Sequence, residues 1–138
     1  MKLILKPLLF ILLSFTISLG LAQKKSVKSN YEKGLSKIKK EDYLGAVADL
    51  TNAIKENPNN AAAYSKRAFA KGFLQDHYGA LTDYNQSLEL DPSDAQTYSN
   101  RAISRLNTSD KTGACEDWDK AIELGFEEAE LMKEEFCQ

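Results

Sequence analysis

The chain is poor in the residues that build chemical sites. It carries one histidine, two cysteines, one tryptophan and three prolines among 138 residues. One histidine and two cysteines do not close a four-ligand metal site. No Gly-rich phosphate loop, H-E-x-x-H sequence or nucleophile elbow occurs. A Cys115–His77 nucleophilic pair would need a third orienting group and an oxyanion hole, and nothing in the chain supplies either. The expectation is a protein without catalysis and without a cofactor. An excess of positive charge is also missing: 18 basic residues face 20 acidic ones, a net charge of −2. That balance gives no electrostatic reason to expect a nucleic-acid partner.

Long apolar runs are absent except at the start. Lys2 and Lys6 precede an uncharged stretch, Leu8 to Leu19, and Gly20-Leu21-Ala22 places small residues at a cleavage site. The run is shorter than the roughly 20 residues of a spanning helix. It reads as a signal peptide over 1–22, cleaved near Ala22, with export to a periplasm or beyond. No membrane span is then expected in the mature chain. Losing Lys2 and Lys6 from 18 basic residues against 20 acidic ones takes the net charge to −4. Lysines crowd the segment from Lys24 to Lys40 and glutamates the segment from Glu127 to Glu135, which reads as two solvated ends of an elongated molecule.

What the chain does have is a period. Asp-x-x-Gly-Ala stands at Asp42, Asp76 and Asp110, 34 residues apart. Three segments, 27–60, 61–94 and 95–128, align without gaps after a polar lead-in, 23–29. Gly34, Ala68 and Ala102 are equivalent small residues, as are Ala46, Ala80 and Ala114; Leu50, Tyr84 and Trp118 supply bulk one turn later. The stripe 46-50-53-54 has helical spacing. Asp42, Asp76 and Asp110 suit helix N-caps, and Pro58 and Pro92 bar continuation of the second helices. Each segment is expected to fold as an antiparallel helix pair whose small residues meet, with stacked neighbours completing the core. A last amphipathic helix, about 127–137, would present Phe126, Ala129, Met132 and Phe136 inward as a cap.

These segments resemble tetratricopeptide repeats. Tyr64, Ala68, Ala80, Tyr84, Ser87-Leu88 and Pro92 stand where that family has its aromatic, small and proline residues. The stretch Trp118-x-x-Ala121-x-x-x-Gly125-x-x-x-Ala129 also resembles Sel1-like repeats, with Gly125 as a left-handed stop and Phe126 folding back. The resemblance implies an all-α, right-handed superhelical array of antiparallel helix pairs over 30–138, with a capping helix. It implies a module that binds a protein or peptide in a concave groove lined by the first helices. With the signal peptide, that places the module in the cell envelope or secreted space. A self-associating scaffold of an envelope complex is the alternative.

By resemblance the groove would include Tyr31, Leu35, Lys66, Phe69, Gln96, Asn100 and Ile103, with packing between repeats an equal reading for each. The family's clamp for a C-terminal carboxylate would fall at Tyr31, Leu35, Lys66, Gln96 and Asn100, and none of the five matches its lysines, asparagines and arginine. His77, whose equivalents are Tyr43 and Lys111, reads as a surface residue. Lys33, Arg67 and Arg101 recur with Asp49, Asp83 and Asp117. Either the cations form a ladder for acidic ligands, or Lys33–Asp49, Arg67–Asp83 and Arg101–Asp117 are structural pairs; the recurrence of the aspartate favours the second. If the chain folds back at Gly125-Phe126, Cys115 and Cys137 reach similar heights. In an exported protein that favours a disulfide, worth about 3 kcal/mol, over two separate buried thiols.

Overall fold

A computed structural model describes residues 28–138. The expected signal peptide and residues 23–27 of the lead-in lie outside the described residues. Seven helices follow in order: α1 Asn30–Lys39, α2 Tyr43–Glu56, α3 Ala61–Phe73, α4 His77–Leu90, α5 Ala95–Asn107, α6 Lys111–Glu123 and α7 Ala129–Phe136. Among the described residues there is no strand, and no helix is long and apolar enough to cross a membrane.

The motif Asp-x-x-Gly-Ala explains how each second helix begins. Asp42, Asp76 and Asp110 are N-caps whose side chains accept from the backbone N–H of Gly45, Gly79 and Gly113. A Cβ on Gly79 would stand 2.1 Å from Asp76 Oδ2, with the same clash at the other two repeats. Glycine is therefore required where the capping carboxylate lies across the first turn. The alanine that follows, Ala46, Ala80 or Ala114, is completely buried. First helices are capped equally well: Ser29 forms a reciprocal capping box with Glu32, and Asn60 and Asp94 accept from Ala63 and Thr97.

Helix ends show a feature the sequence does not announce. Glu41, Gln75 and Ser109, again 34 apart, are left-handed at φ 61°, 66° and 66°. Each closes the first helix with paired bonds. At the middle repeat, Gln75 N–H donates to Gly72 O at 3.0 Å and Asp76 N–H donates to Lys71 O at 2.9 Å. Gly125, at φ 93°, ends α6 in the same way, with Phe126 N–H reaching Ala121 O at 2.9 Å. Phe126 then packs into the cluster around Trp118. One turn over 127–128 separates this stop from α7, so the cap starts at Ala129 and not at 127 as expected.

Each helix pair closes on its small residue. Ala68 packs with Ala80 and Tyr84, and Ala102 with Ala114 and Trp118. In the first repeat Gly34 leaves room for Leu50, whose side chain is completely buried, a burial worth roughly 1.5–3 kcal/mol. Neighbouring helices pack in sequence, and α3 also touches both α1 and α5, whereas the second helices make no comparable contacts with one another. The array therefore curves toward its first helices.

Two helical glycines separate packing from propensity. A Cβ on Gly34 would stand 2.6 Å from Leu50 Cγ, whereas one on Gly72 would meet nothing within 4 Å. Gly34→Ala should destabilise by about 1–2 kcal/mol despite its better helix propensity. Gly72→Ala should stabilise by about 0.5–1 kcal/mol. Urea midpoints of the two variants shifting in the same direction would contradict this account.

Candidate functional site: a cleft between the second and third repeats

On the inner side a cleft of about 320 Å³ opens between α3, the α3–α4 turn, α4 and α5. Phe69 and Phe73 of α3, Tyr84 of α4 and Ile103 of α5 give it an apolar wall. Gln75, His77, Asn100, Ser104 and Asn107 supply polar groups around it, and no lysine, arginine, aspartate or glutamate lines it. The left-handed Gln75 and the N-cap Asp76 turn the chain so that Gln75 and His77 both face this space. Phe73 is 53% exposed yet fixed in place: it stacks on Tyr43 at 4.4 Å between ring centres and meets Phe69 at 4.9 Å. An aromatic held rigid at the edge of a cleft offers contact area at little further entropic cost.

Three of the seven residues expected to line the groove, Phe69, Asn100 and Ile103, come together here. Leu35, Lys66 and Gln96 do not line the cleft; the first two are half-buried and Gln96 is exposed. Tyr31 packs against the clusters holding Ala63 and Leu50, so its ring lies between the first two repeats. The repeat-equivalent of Tyr31 is Ser65, and it holds the corresponding seat at the next junction. Thr97 donates to the Asp94 carboxylate at 2.6 Å, which leaves Ser65 to donate to the Thr97 oxygen, also at 2.6 Å. His77 is half-buried and not a plain surface residue: its Nδ1 has no partner, and Nε2 stands 3.3 Å from Gln75 Oε1. Gly72, Tyr84, Ser104 and Asn107 complete the cleft, although helical periodicity alone assigns them to the array's packing.

Among the recurring cations, Lys37, Arg67, Lys71, Arg101 and Arg105 are engaged by carboxylates. Arg67 grips the buried Asp83 with two bonds of 2.7 and 2.8 Å, and Lys71 adds a third contact at 2.8 Å. Arg101 and Arg105 hold the buried Asp117 in the same way. Arg67 and Arg101 also reach back one repeat, to Thr51 and Asn85, and lie over Tyr64 and Tyr98. The hydrogen bond to Asp83 raises the Arg67 pKa above its ordinary value. The expected Lys33–Asp49 pair does not form. Asp49 is held by Lys37 at 3.0 Å, and Lys33 bonds to Asn30. Lysine lacks the planar fork that gives Arg67 its two-point grip, and no repeat precedes the first among the described residues to take a second contact.

Cys115 of α6 and Cys137, just beyond α7, are joined by a disulfide, with Cα atoms 5.8 Å apart. No group of metal-ligating side chains forms among the described residues.

A tetratricopeptide-repeat family model matches residues 27–60. The TPR2B domain of yeast Sti1, solved in a complex with pHsp70, is 31% identical over 64% of this chain and 71% of that one, with a TM-score of 0.63. The chain belongs to the tetratricopeptide-repeat family. The first TPR domain of Spaghetti (RPAP3), solved bound to the HSP90 peptide SRMEEVD, is 26% identical and covers 83% of this chain and 96% of that one, with a TM-score of 0.76. The Arabidopsis OM64 TPR domain is 27% identical over 78% and 90%, with a TM-score of 0.75. A search of curated protein sequences finds no match.

Two measurements test the electrostatics of this TPR array. Asp83→Ala leaves Arg67 and Lys71 facing each other and should cost about 3 kcal/mol in a urea titration. Asp49→Ala, which frees only the more exposed Lys37, should cost no more than about 1 kcal/mol. Tyr84 supplies a pH test. Burial, and secondarily the Asp83 carboxylate, raise its pKa well above the ordinary 10. The unfolded chain therefore ionises first, and stability present below pH 10 is lost as pH rises above it. Tyr84→Phe should lose less stability than the parent between pH 9 and 11, with Tyr31, also raised by burial, retaining part of the effect.

Proposed function

We propose that this TPR array is a non-catalytic peptide-binding module that receives an uncharged, apolar-anchored segment in the cleft between its second and third repeats. The cleft's composition carries the reading: a rigid aromatic wall of Phe69 and Phe73, flanked by the neutral amides of Asn100 and Asn107, with no lysine, arginine, aspartate or glutamate on its lining. Asn100, Ile103 and Asn107 share one face of α5 at spacings of three and four, so an apolar anchor beside Ile103 would lie within reach of amides that can pair with peptide backbone. The similar RPAP3 and Sti1 domains support peptide binding as the general task. The ligand chemistry here is different. Arg67, Lys71, Arg101 and Arg105 are engaged by buried aspartates, and Lys66 stands away from the cleft. An acidic C-terminal peptide finds no cationic clamp.

We further propose that the module works outside the cytoplasm. The signal-like segment 1–22 and a disulfide, which persists in oxidising compartments, support that location. A peptide-display selection against residues 23–138, followed by calorimetry, tests the binding reading. Selected peptides should carry an aliphatic or aromatic anchor, and Phe69→Ala or Ile103→Ala should weaken them about tenfold or more. SRMEEVD should bind no better than its scrambled form. Ligands indifferent to both substitutions, or a preference for SRMEEVD over the scramble, would refute the cleft assignment.

A further inference from the structure

The C-terminal helix is held differently from every other helix in the array. By the period, α7 starts one repeat after α5: Ala61, Ala95 and Ala129 are equivalent first residues. It does not, however, dock as a fourth first helix. Leu131 is the equivalent of Ala63 and Thr97, which are buried, yet it is 70% exposed. The inward stripe of α7 is instead Ala129, Met132, Phe136 and Cys137. The helix is thus rotated relative to α3 and α5, turning Cys137 toward Cys115 of α6.

Other holds on α7 are few. It has eight residues, its N-cap Glu128 makes no side-chain capping bond, and Ala129 alone is fully buried. Isolated helices of this length do not persist in water. Its polar ties, Lys133 to Asp119 at 2.6 Å and Lys111 to the carbonyl of Gln138 at 3.1 Å, lie on the exposed surface and are worth little. Beneath it, Trp118 is fully covered and stacks on Phe136 at 5.9 Å, while its indole N–H has no acceptor. An unpaired buried donor is a cost of covering this ring.

We infer that the Cys115–Cys137 disulfide is a redox latch: it holds α7 over Trp118, and its reduction releases the cap and uncovers the apolar end of the array. Both cysteines are partly exposed, so a thiol reagent can reach the bond. The reductant is a dithiol. Its thiolate attacks one sulfur, the S–S bond breaks, and its second thiol resolves the mixed disulfide. Two electrons and two protons pass to the protein, leaving Cys115 and Cys137 as thiols and the reductant as a disulfide. The helices α1 to α4 have their own caps, ion pairs and apolar clusters, none of which includes a residue of the cap. The released face, with Trp118, Ala121 and Ile122, is the kind of unsealed end that repeat arrays otherwise cover.

The chain's single tryptophan makes the test direct. Oxidised protein, the same protein under excess dithiothreitol, and Cys137→Ser are compared by acrylamide quenching of Trp118 and by hydrogen exchange resolved by helix. The latch requires Trp118 to become quenchable and α7 amides to lose protection in both unbridged forms, while α1 to α4 keep theirs. Unchanged quenching and protection would overturn it, showing a cap that stays docked without the bond. Simultaneous loss of protection in all seven helices would also overturn it, because the disulfide would then be a staple for the whole fold.

Discussion

Each helix pair depends on one close approach, where a residue with little or no side chain on the first helix admits a large one from the second. Gly34 under Leu50, Ala68 under Tyr84 and Ala102 under Trp118 are the same joint with increasing bulk. The capping motif serves this joint. Asp42, Asp76 and Asp110 start the second helix, the following glycine lets the carboxylate lie flat, and the next alanine is buried at once. The angle and phase of the second helix are thereby set before its bulky residue arrives, which is why both caps and small residues keep the 34-residue period.

Polar chemistry joins one pair to the next. The arginine fork is the clearest case: two nitrogens hold the aspartate of the same repeat, and a third reaches Thr51 or Asn85 on the repeat before. The Ser65–Thr97–Asp94 chain does the same along the first helices. With charge spent inside the scaffold, the cleft is left without lysine, arginine, aspartate or glutamate. Its lining reflects this division of labour, in which ions organise the array and aromatics and amides face whatever enters.

The period, the second-helix caps and the small-residue sites were legible because each rests on a residue type with few alternatives. The Gly125 stop is another example, since glycine advertises a left-handed backbone. The left-handed Glu41, Gln75 and Ser109 carried no such mark: their residue types do not favour that region, and only their common spacing connects them. The missed roles of Gln75 and His77 follow from those turns, which bring a loop and a helix start up to the cleft. Tyr31 and Phe69 show the limit of pattern reading for a groove. Both are aromatics on first helices, but Tyr31 fills the seat that Ser65 holds one repeat later, while Phe69 stays open. Equivalence places Lys33 with Asp49, but the carboxylate pairs with Lys37, one turn further along the same helix.

The backward-reaching arginines make the middle repeat a self-compatible part. Arg67 finds its hydroxyl on Thr51, and Arg101 finds its amide on Asn85 at the matching position. A second copy of 61–94 spliced after the first would present Asn85 to an incoming Arg67 and a fresh Asn85 to Arg101. The arginine contacts at both junctions would keep their pairing, whereas Ser65 of the first copy would meet Ala63 of the second in place of Thr97 and lose its hydroxyl partner. In evolutionary terms the arginine joint survives tandem duplication unchanged, whereas the hydroxyl contact along the first helices belongs to the one junction that has both Ser65 and Thr97.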